Sequence, residues 1–256
     1  MPKSIPSVPS ARIQSLNDLS VNGKGKFVLY WMIANRRTRY NFALQRAVEW
    51  SKELGKPLVV LEALRVAYPW NCARFHRFVI EGMADNAAAF AKRAVTYFPY
   101  VEAEGGEGRG LLAAWAKQAC VVVSDDFPCF FLPRMQQAAI CQIPVCFEVV
   151  DSNGLFPMRA TDRVFSRAYD FRRFLQKNLL PHLDQFPVVD PLARQRLPRL
   201  EKVPSAISRK WRQADFDRLL GDQGLSDLKI DHAIAPSFIK GGSVAATKRM
   251  KLFLNE

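Results

Sequence analysis

The sequence predicts a Rossmann-like, doubly wound α/β fold. Its five-stranded parallel sheet has the order 3-2-1-4-5, and a helical and irregular C-terminal linker follows. Three observations predict this. Short apolar runs of strand length recur at residues 27–32, 57–64, 100–104, 120–126 and 144–153. Segments with helical spacing separate them, which implies parallel βαβ units with right-handed crossovers. Apolar residues make up 49% of the 256, ample for a well-filled core.

Taken in order, residues 1–26 form an arm rich in Pro and Ser, closing with NGKGK and expected to be mobile up to about Ser10. FVLYWM opens the sheet. The next helix, residues 40–54, puts Phe42, Leu44, Ala47, Val48 and Leu54 on one face, with Gly55 as its stop and Pro57 beyond. PLVVLEAL is the second strand. Asn71 is the expected cap of a long alanine-rich helix over residues 74–97, and YVEAE is a weak third strand. GGEGRG, residues 105–110, turns the chain into helix GLLAAWAKQA and could at most cradle an anion, because its spacing is not that of a dinucleotide fingerprint. CVVVSDD is the fourth strand, LPRMQQAAICQ a helix, and PVCFEVVDSN the fifth strand.

Beyond Asn153 the rhythm changes. Residues 161–183 read as a basic amphipathic helix, and Pro181, Pro187, Pro191 and Pro198 mark a linker. Residues 201–220 suggest one or two short helices, residues 230–242 an extended segment, and Ser243 caps a last helix whose apolar residues need a partner surface. The expected organisation is an arm at 1–26, an α/β domain at 27–185, a linker at 186–242, and at 243–256 the start of a further helical unit.

Charge and cysteine content bound the function. The 37 Lys and Arg against 24 Asp and Glu give +13, which suits phosphate-bearing partners or, equally, a solvated basic surface. The five cysteines contain no C-x-x-C pair and only three His accompany them, which argues against a zinc site and for reduced buried thiols. The start of the chain lacks the apolar core of a signal peptide, and no run of about 18 apolar residues could span a membrane. A soluble, cytoplasmic protein without a membrane partner is the reading.

In an open sheet of this order, side chains after strands 1, 4 and 5 converge on the crevice at the switch point. Strand 1 delivers Trp31, Met32, Asn35, Arg36 and Arg37; strand 4 delivers Asp125, Asp126 and then Phe130; strand 5 delivers Asn153. The candidate cofactor-binding set is Trp31, Met32, Asn35, Arg36, Asp125, Asp126 and Asn153. Flat apolar faces, cations and hydrogen-bonding groups together suit an aromatic ligand with phosphate or carboxylate groups. Each has a plainer alternative. Arg36 and Arg37 read equally as a solvated pair, Trp31 as core, and adjacent carboxylates such as Asp125 and Asp126 more often cap turns or pair with an arginine. No nucleophile is set up, since G-x-S-x-G is absent and His76 has no partner legible in the sequence. No catalytic residue and no metal ligand is assigned.

Several segments together carry a family likeness. RIQSLN (residues 12–17), FVLYWMIANRR with the following YNFALQRAVEWSKELGKPLVVLEAL, VVVSDDFPCFFLPRM (121–135) and VVDSNGLFPMRA (149–160) resemble the N-terminal half of class II-type deoxyribodipyrimidine photolyases. IDHAIAP and KGGSVAATKRMKLFL near the end resemble the same family. The resemblance implies an α/β domain beside a light-harvesting antenna chromophore of deazaflavin or folate type. It further implies a helical domain that binds FAD and damaged DNA, where light-driven electron transfer splits cyclobutane pyrimidine dimers. The catalytic FAD residues have no positions here, so the expected role is the antenna half of a photolyase, inactive alone and truncated relative to the family. FAD then enters only with a helical domain, continuing the chain or in trans, and damaged DNA is met through that domain. This leaves the enzyme assignment open. The alternatives are a stand-alone α/β nucleotide- or flavin-binding module, or a basic adaptor touching nucleic acid through residues 159–218.

Overall fold

The central run FVLYWM is apolar without interruption because both faces of the sheet are covered. In the computed structural model, which describes residues 7–222 and 224–255, β2 (Phe27–Met32) is buried at every residue. Its side chains alternate between two layers. Phe27, Leu29 and Trp31 pack with Phe98, Trp115 and Phe147 on one side. Val28, Tyr30 and Met32 pack with Phe42, Leu44 and Val48 on the other.

The helices follow from their caps and spacing. In α1 (Phe42–Leu54), the Asn41 side chain accepts a hydrogen bond from the Leu44 N–H at 3.0 Å, and Gly55 stops the helix at a φ of 61°. β3 (Leu58–Leu64) follows. The next helix is shorter than the alanine pattern suggests: α2 spans Ala73–Phe90. Its N-cap position is Cys72, while Asn71 turns its amide to the Val66 carbonyl. Residues 96 and 97, expected in the helix, open β4 (Thr96–Val101), where Val59 pairs with Thr96 and Leu64 with Val101. Thr, Tyr and Phe favour the pleated edge and overrule the alanines before them. Pro99 is tolerated because β4 lies at the sheet edge.

α3 (Leu111–Ala116), β5 (Ala119–Asp126), α4 (Leu132–Ile140) and β6 (Phe147–Asp151) complete the wound unit. β2 pairs in parallel with β3 and β5, β3 with β4, and β5 with β6, so the five expected strands stand in the order 3-2-1-4-5. Among the described residues the sheet nevertheless has six strands, not five, and is mixed rather than wholly parallel. β1 (Ile13–Ser15) adds to its edge, antiparallel to β6, with Ile13 opposite Val150.

Three residues reading IQS carry no strand signal of their own, and the neighbouring Arg12 anchors them. Its fully buried guanidinium lies 3.6 Å from the Asp151 carboxylate and donates to the carbonyls of Gly154 and Leu155 at 3.2 and 2.7 Å. Desolvation lowers its pKa, with Asp151 opposing. Within the expected arm, Val8 is buried and its N–H donates to Glu49 at 2.8 Å. The expectation of mobility falls mainly on residues 1–6, which lie outside the described residues.

The C-terminal segment is helical only in pieces: α5 (Ala168–Asn178), α6 (Ser205–Ser208), α7 (Phe216–Leu220) and α8 (Gly242–Asn255). Between them the chain packs on the α/β unit. Ile207 and Trp211 join the layer of Trp115, and Leu219, Leu225 and Leu228 bury against Ile80 and Met83 of α2. The start of α8 is held by α2, whose Asp85 accepts from the Val244 N–H at 2.8 Å and Glu81 from the Gly241 N–H at 2.6 Å. All five cysteines are free, with Cys72, Cys120 and Cys146 buried. Among the described residues no helix is long and apolar enough to cross a membrane, and no cluster of three or more His, Cys, Asp or Glu is placed to hold a metal.

Candidate functional site

A cleft of about 580 Å³ opens at the carboxyl ends of β2, β3 and β4, on the α3–α4 side of the sheet. Its volume falls in the range of small-molecule sites. Trp31, Leu61 and Ala63 form the floor, α3 and α4 supply Leu112 and Met135, and Tyr68, Phe130 and Phe131 stand at the mouth. Tyr68 and Phe131 lie with ring centroids 5.8 Å apart and tilted by 34°. Phe130, at a φ of 60° and 74% exposed, meets Trp70 edge-on at 6.4 Å.

Three arginines border this aromatic enclosure, and they are held differently. Arg36 is locked from below: Nη1 donates to Glu62 at 3.1 Å, Nη2 to the Ala63 carbonyl at 2.9 Å. The fully buried Glu62 also accepts from Asn86 at 2.9 Å and from the Tyr97 hydroxyl at 2.7 Å. A buried carboxylate needs such partners to offset its lost hydration. Burial, then the Glu62 charge, pushes the Tyr97 phenol far above its ordinary range, so it stays a donor. Arg65 and Arg109, by contrast, are exposed and make no ion pair among the described residues. Their charge remains available to a ligand.

The glycine loop is no anion cradle. Oε1 of Glu102 accepts from the Gly106 and Gly108 N–H groups at 2.9 and 3.1 Å, and Oε2 from Val66 N–H at 3.1 Å. The chain's own carboxylate fills the nest. Burial first, then repulsion from Glu107 and Glu102, lifts the neighbouring Tyr100 phenol to about 12.

The seven residues singled out in the sequence do not gather in one place. Trp31 and Arg36 line the cleft. Met32 points to the opposite layer. Asp125 is fully buried and accepts from Tyr30 Oη at 2.6 Å and from the N–H groups of Ile33, Ala34 and Asn35 at 2.9, 2.8 and 3.0 Å. Asn35 thereby sits in the turn after β2, its Oδ1 accepting from Arg37 at 3.1 Å. Asp126 faces a second cleft of about 460 Å³, where it pairs with Arg159 beside Phe127 and Met158. Asn153 ties β5 to β6, donating to the Asp126 carbonyl at 2.7 Å and to Asp151 at 3.0 Å. His76 is buried between the carbonyls of Cys72 and Arg65, each at 3.1 Å, and stacks on Tyr68. Of the cleft residues that the sequence reading missed, chiefly Arg65, Tyr68, Tyr100 and Arg109, Tyr100 lies at the end of β4 and the others follow β3 and β4. Their signal was available: in the order 3-2-1-4-5 strand 2 flanks strand 1 and strand 3 lies next beyond it, on the same side.

No family model matches the chain. Its sequence is similar to the deoxyribodipyrimidine photo-lyase of Methanothermobacter thermautotrophicus, 26% identical over 250 residues, covering 97% of this chain and 52% of that protein. The likeness is to photolyases. Among solved structures, the fold is similar to a bacterial class III photolyase from Agrobacterium tumefaciens, with a TM-score of 0.55 and 16% identity over 91% of this chain and 45% of that one. The homology is of the photolyase N-terminal-domain type, and the photolyase-like chain spans about half the length of the curated relative it matches.

Proposed function

We propose that this chain is the antenna half of a light-dependent repair protein for cyclobutane pyrimidine dimers, of the class II type. It binds a planar chromophore, of deazaflavin or folate type, in the cleft above Trp31. The observation that carries this reading is the cleft itself: an aromatic lining from Trp31, Tyr68 and Phe131, with Arg65 and Arg109 at its border making no ion pair among the described residues. That chemistry fits a flat conjugated ring with an anionic tail. When bound, such a group absorbs near-ultraviolet or blue light and passes its excitation on. The chain's own part is to hold the ring on Trp31, to set Arg36 rigidly through Glu62, and to shield one ring face from water.

In this reading residues 27–185 are the antenna domain, 186–242 connect it, and 243–256 begin a helical domain that binds FAD and damaged DNA. That domain either continues the chain or meets it in trans. No position described here is assigned to FAD, and these 256 residues alone are expected to leave dimers intact. A nucleotide-binding module is disfavoured because Glu102 already occupies the loop amides that a phosphate would need.

The test is to purify the chain and titrate it with a deazaflavin and a reduced folate, following absorption and tryptophan quenching. One of the two is expected to bind, and Trp31→Ala or the pair Arg65→Ala with Arg109→Ala to weaken it at least ten-fold, about 1.4 kcal/mol. A colourless protein with affinity for neither refutes the cleft assignment. Dimer cleavage under light by this chain alone refutes its incompetence.

A further inference from the structure

Outside the cleft, one surface combines charge and aromatic character without any internal use. Helix α5 has no buried residue. One side of it packs into a small aromatic cluster: Phe174 lies 6.0 Å from Phe156 and 5.1 Å from Phe165, and Phe171 lies 5.3 Å from Phe165. On the opposite side Tyr169, Arg172, Arg173, Gln176 and Lys177 recur at the i, i+3, i+4, i+7 and i+8 spacing of a single stripe. Tyr169 is 62% exposed, and the Arg173 guanidinium stands 5.7 Å from its ring centre.

Between residues 163 and 177 five cations face one acid, Asp170. None of Arg163, Arg167, Arg172, Arg173 and Lys177 makes an ion pair among the described residues. Arg12, Arg36, Arg46, Arg77, Arg93, Arg159 and Arg218 all do. The cations of α5 thus pair with no carboxylate among the described residues.

We propose that the outer stripe of α5 is a docking surface for single-stranded nucleic acid, with phosphates on Arg172, Arg173 and Lys177 and an unpaired base stacked on Tyr169. Closely spaced cations match a polyanion whose binding is driven by counterion release. A solvent-facing ring among them supplies the sequence-tolerant stacking that unpaired bases use. An anionic membrane fits less well. A surface helix inserts its apolar face into lipid, whereas Phe174 and its neighbours are committed to Phe156 and Phe165. The surface is independent of the chromophore cleft, so either assignment can fail without the other.

The experiment is fluorescence anisotropy of the whole chain with a labelled oligothymidine of about 20 nucleotides, and with a duplex of the same length, between about 50 and about 200 mM salt. The triple variant R172Q/R173Q/K177Q is expected to flatten the single-strand salt slope by about 2. A control triple of exposed cations elsewhere on the α/β unit, K52Q/K92Q/K117Q, leaves it in place. Tyr169→Ala is expected to weaken the single-strand complex about five-fold or more at unchanged slope. Equal effects of the two triples would reduce the binding to bulk charge and overturn the proposal. So would binding to phosphatidylserine vesicles with none to the oligonucleotide. An unchanged affinity in Tyr169→Ala removes base stacking, and with it the preference for single strands.

Discussion

Asp125 is a strut for the turn that carries Arg36, and replacing it tests the architecture of the site directly. Its carboxylate accepts four hydrogen bonds, from Tyr30 Oη and from three successive backbone N–H groups at Ile33, Ala34 and Asn35. Burial, then the Asp125 charge, holds the Tyr30 phenol well above its usual pKa, so the hydroxyl remains a donor. In Asp125→Ala all four donors lose their acceptor. Ala34 N–H, at a partly exposed position, recovers a water; the other three are buried. At roughly 1–2 kcal/mol for each stranded donor, the loss is about 4 kcal/mol, a large share of the roughly 5–15 kcal/mol available to a typical domain. With about 2–4 °C per kcal/mol at this chain length, thermal unfolding followed by circular dichroism should drop by about 8–16 °C. Asp125→Asn keeps an oxygen toward the three N–H groups and should cost about 1–2 kcal/mol. An alanine variant melting within about 3 °C of the parent would refute the strut, and an asparagine variant as damaged as alanine would refute the count of hydrogen bonds.

Two further outcomes follow from buried contacts. Gly241 presses on α2, where an added Cβ would stand 1.9 Å from the Phe78 carbonyl oxygen. Gly241→Ala should therefore lift α8 off α2, speeding tryptic cleavage at Lys248, Arg249 and Lys251 several-fold with little change in the global melting point; unchanged cleavage would show that α8 is held elsewhere. Burial, opposed by the Cys72 and Arg65 carbonyls, lowers the pKa of His76 below 6.5. The unfolded chain then takes up the proton first, so this contribution to stability is complete above pH 6.5 and is lost as pH falls through the folded value. Urea midpoints at about pH 7.5 and about pH 5 should fall more steeply for the parent than for His76→Gln, and parallel profiles would contradict it.

The strands were legible because a sheet covered on both faces leaves apolar runs, as in FVLYWM and ACVVVSDD. β1 was not, since its signal lies in Arg12, whose partner Asp151 is 139 residues away. The site was half legible. Topology placed Trp31 and Arg36 at the right strand end, but adjacent strand residues point to opposite faces. Trp31 with Met32, and Asp125 with Asp126, therefore cannot share one cleft, and the structure sends each pair apart. The period of two was in the sequence and was enough to separate them. Nothing local announced that Glu102 would fill the glycine loop or that Arg109 would find no ion-pair partner among the described residues, because both depend on how a loop folds back.

The position of the cleft follows from helix length. On the side of Phe42, α1 has 13 residues, about 20 Å of cylinder, and closes its layer over β2 and β5. On the other side α3 has six residues and α4 nine, about 9 and 14 Å, too short to roof the same strands. The chain returns to fill part of that gap: Ile207 and Trp211 pack against the Trp115 layer, and Trp211 donates from Nε1 to the Glu107 carbonyl at 2.9 Å. Its ring comes within 3.9 Å of where a side chain on Gly110 would begin. What stays open, above Trp31 and Leu61, is the cleft. Residues after β6 therefore brace the loop that carries Arg109 from outside, while every residue lining the cleft itself comes from the segment between Trp31 and Gln142.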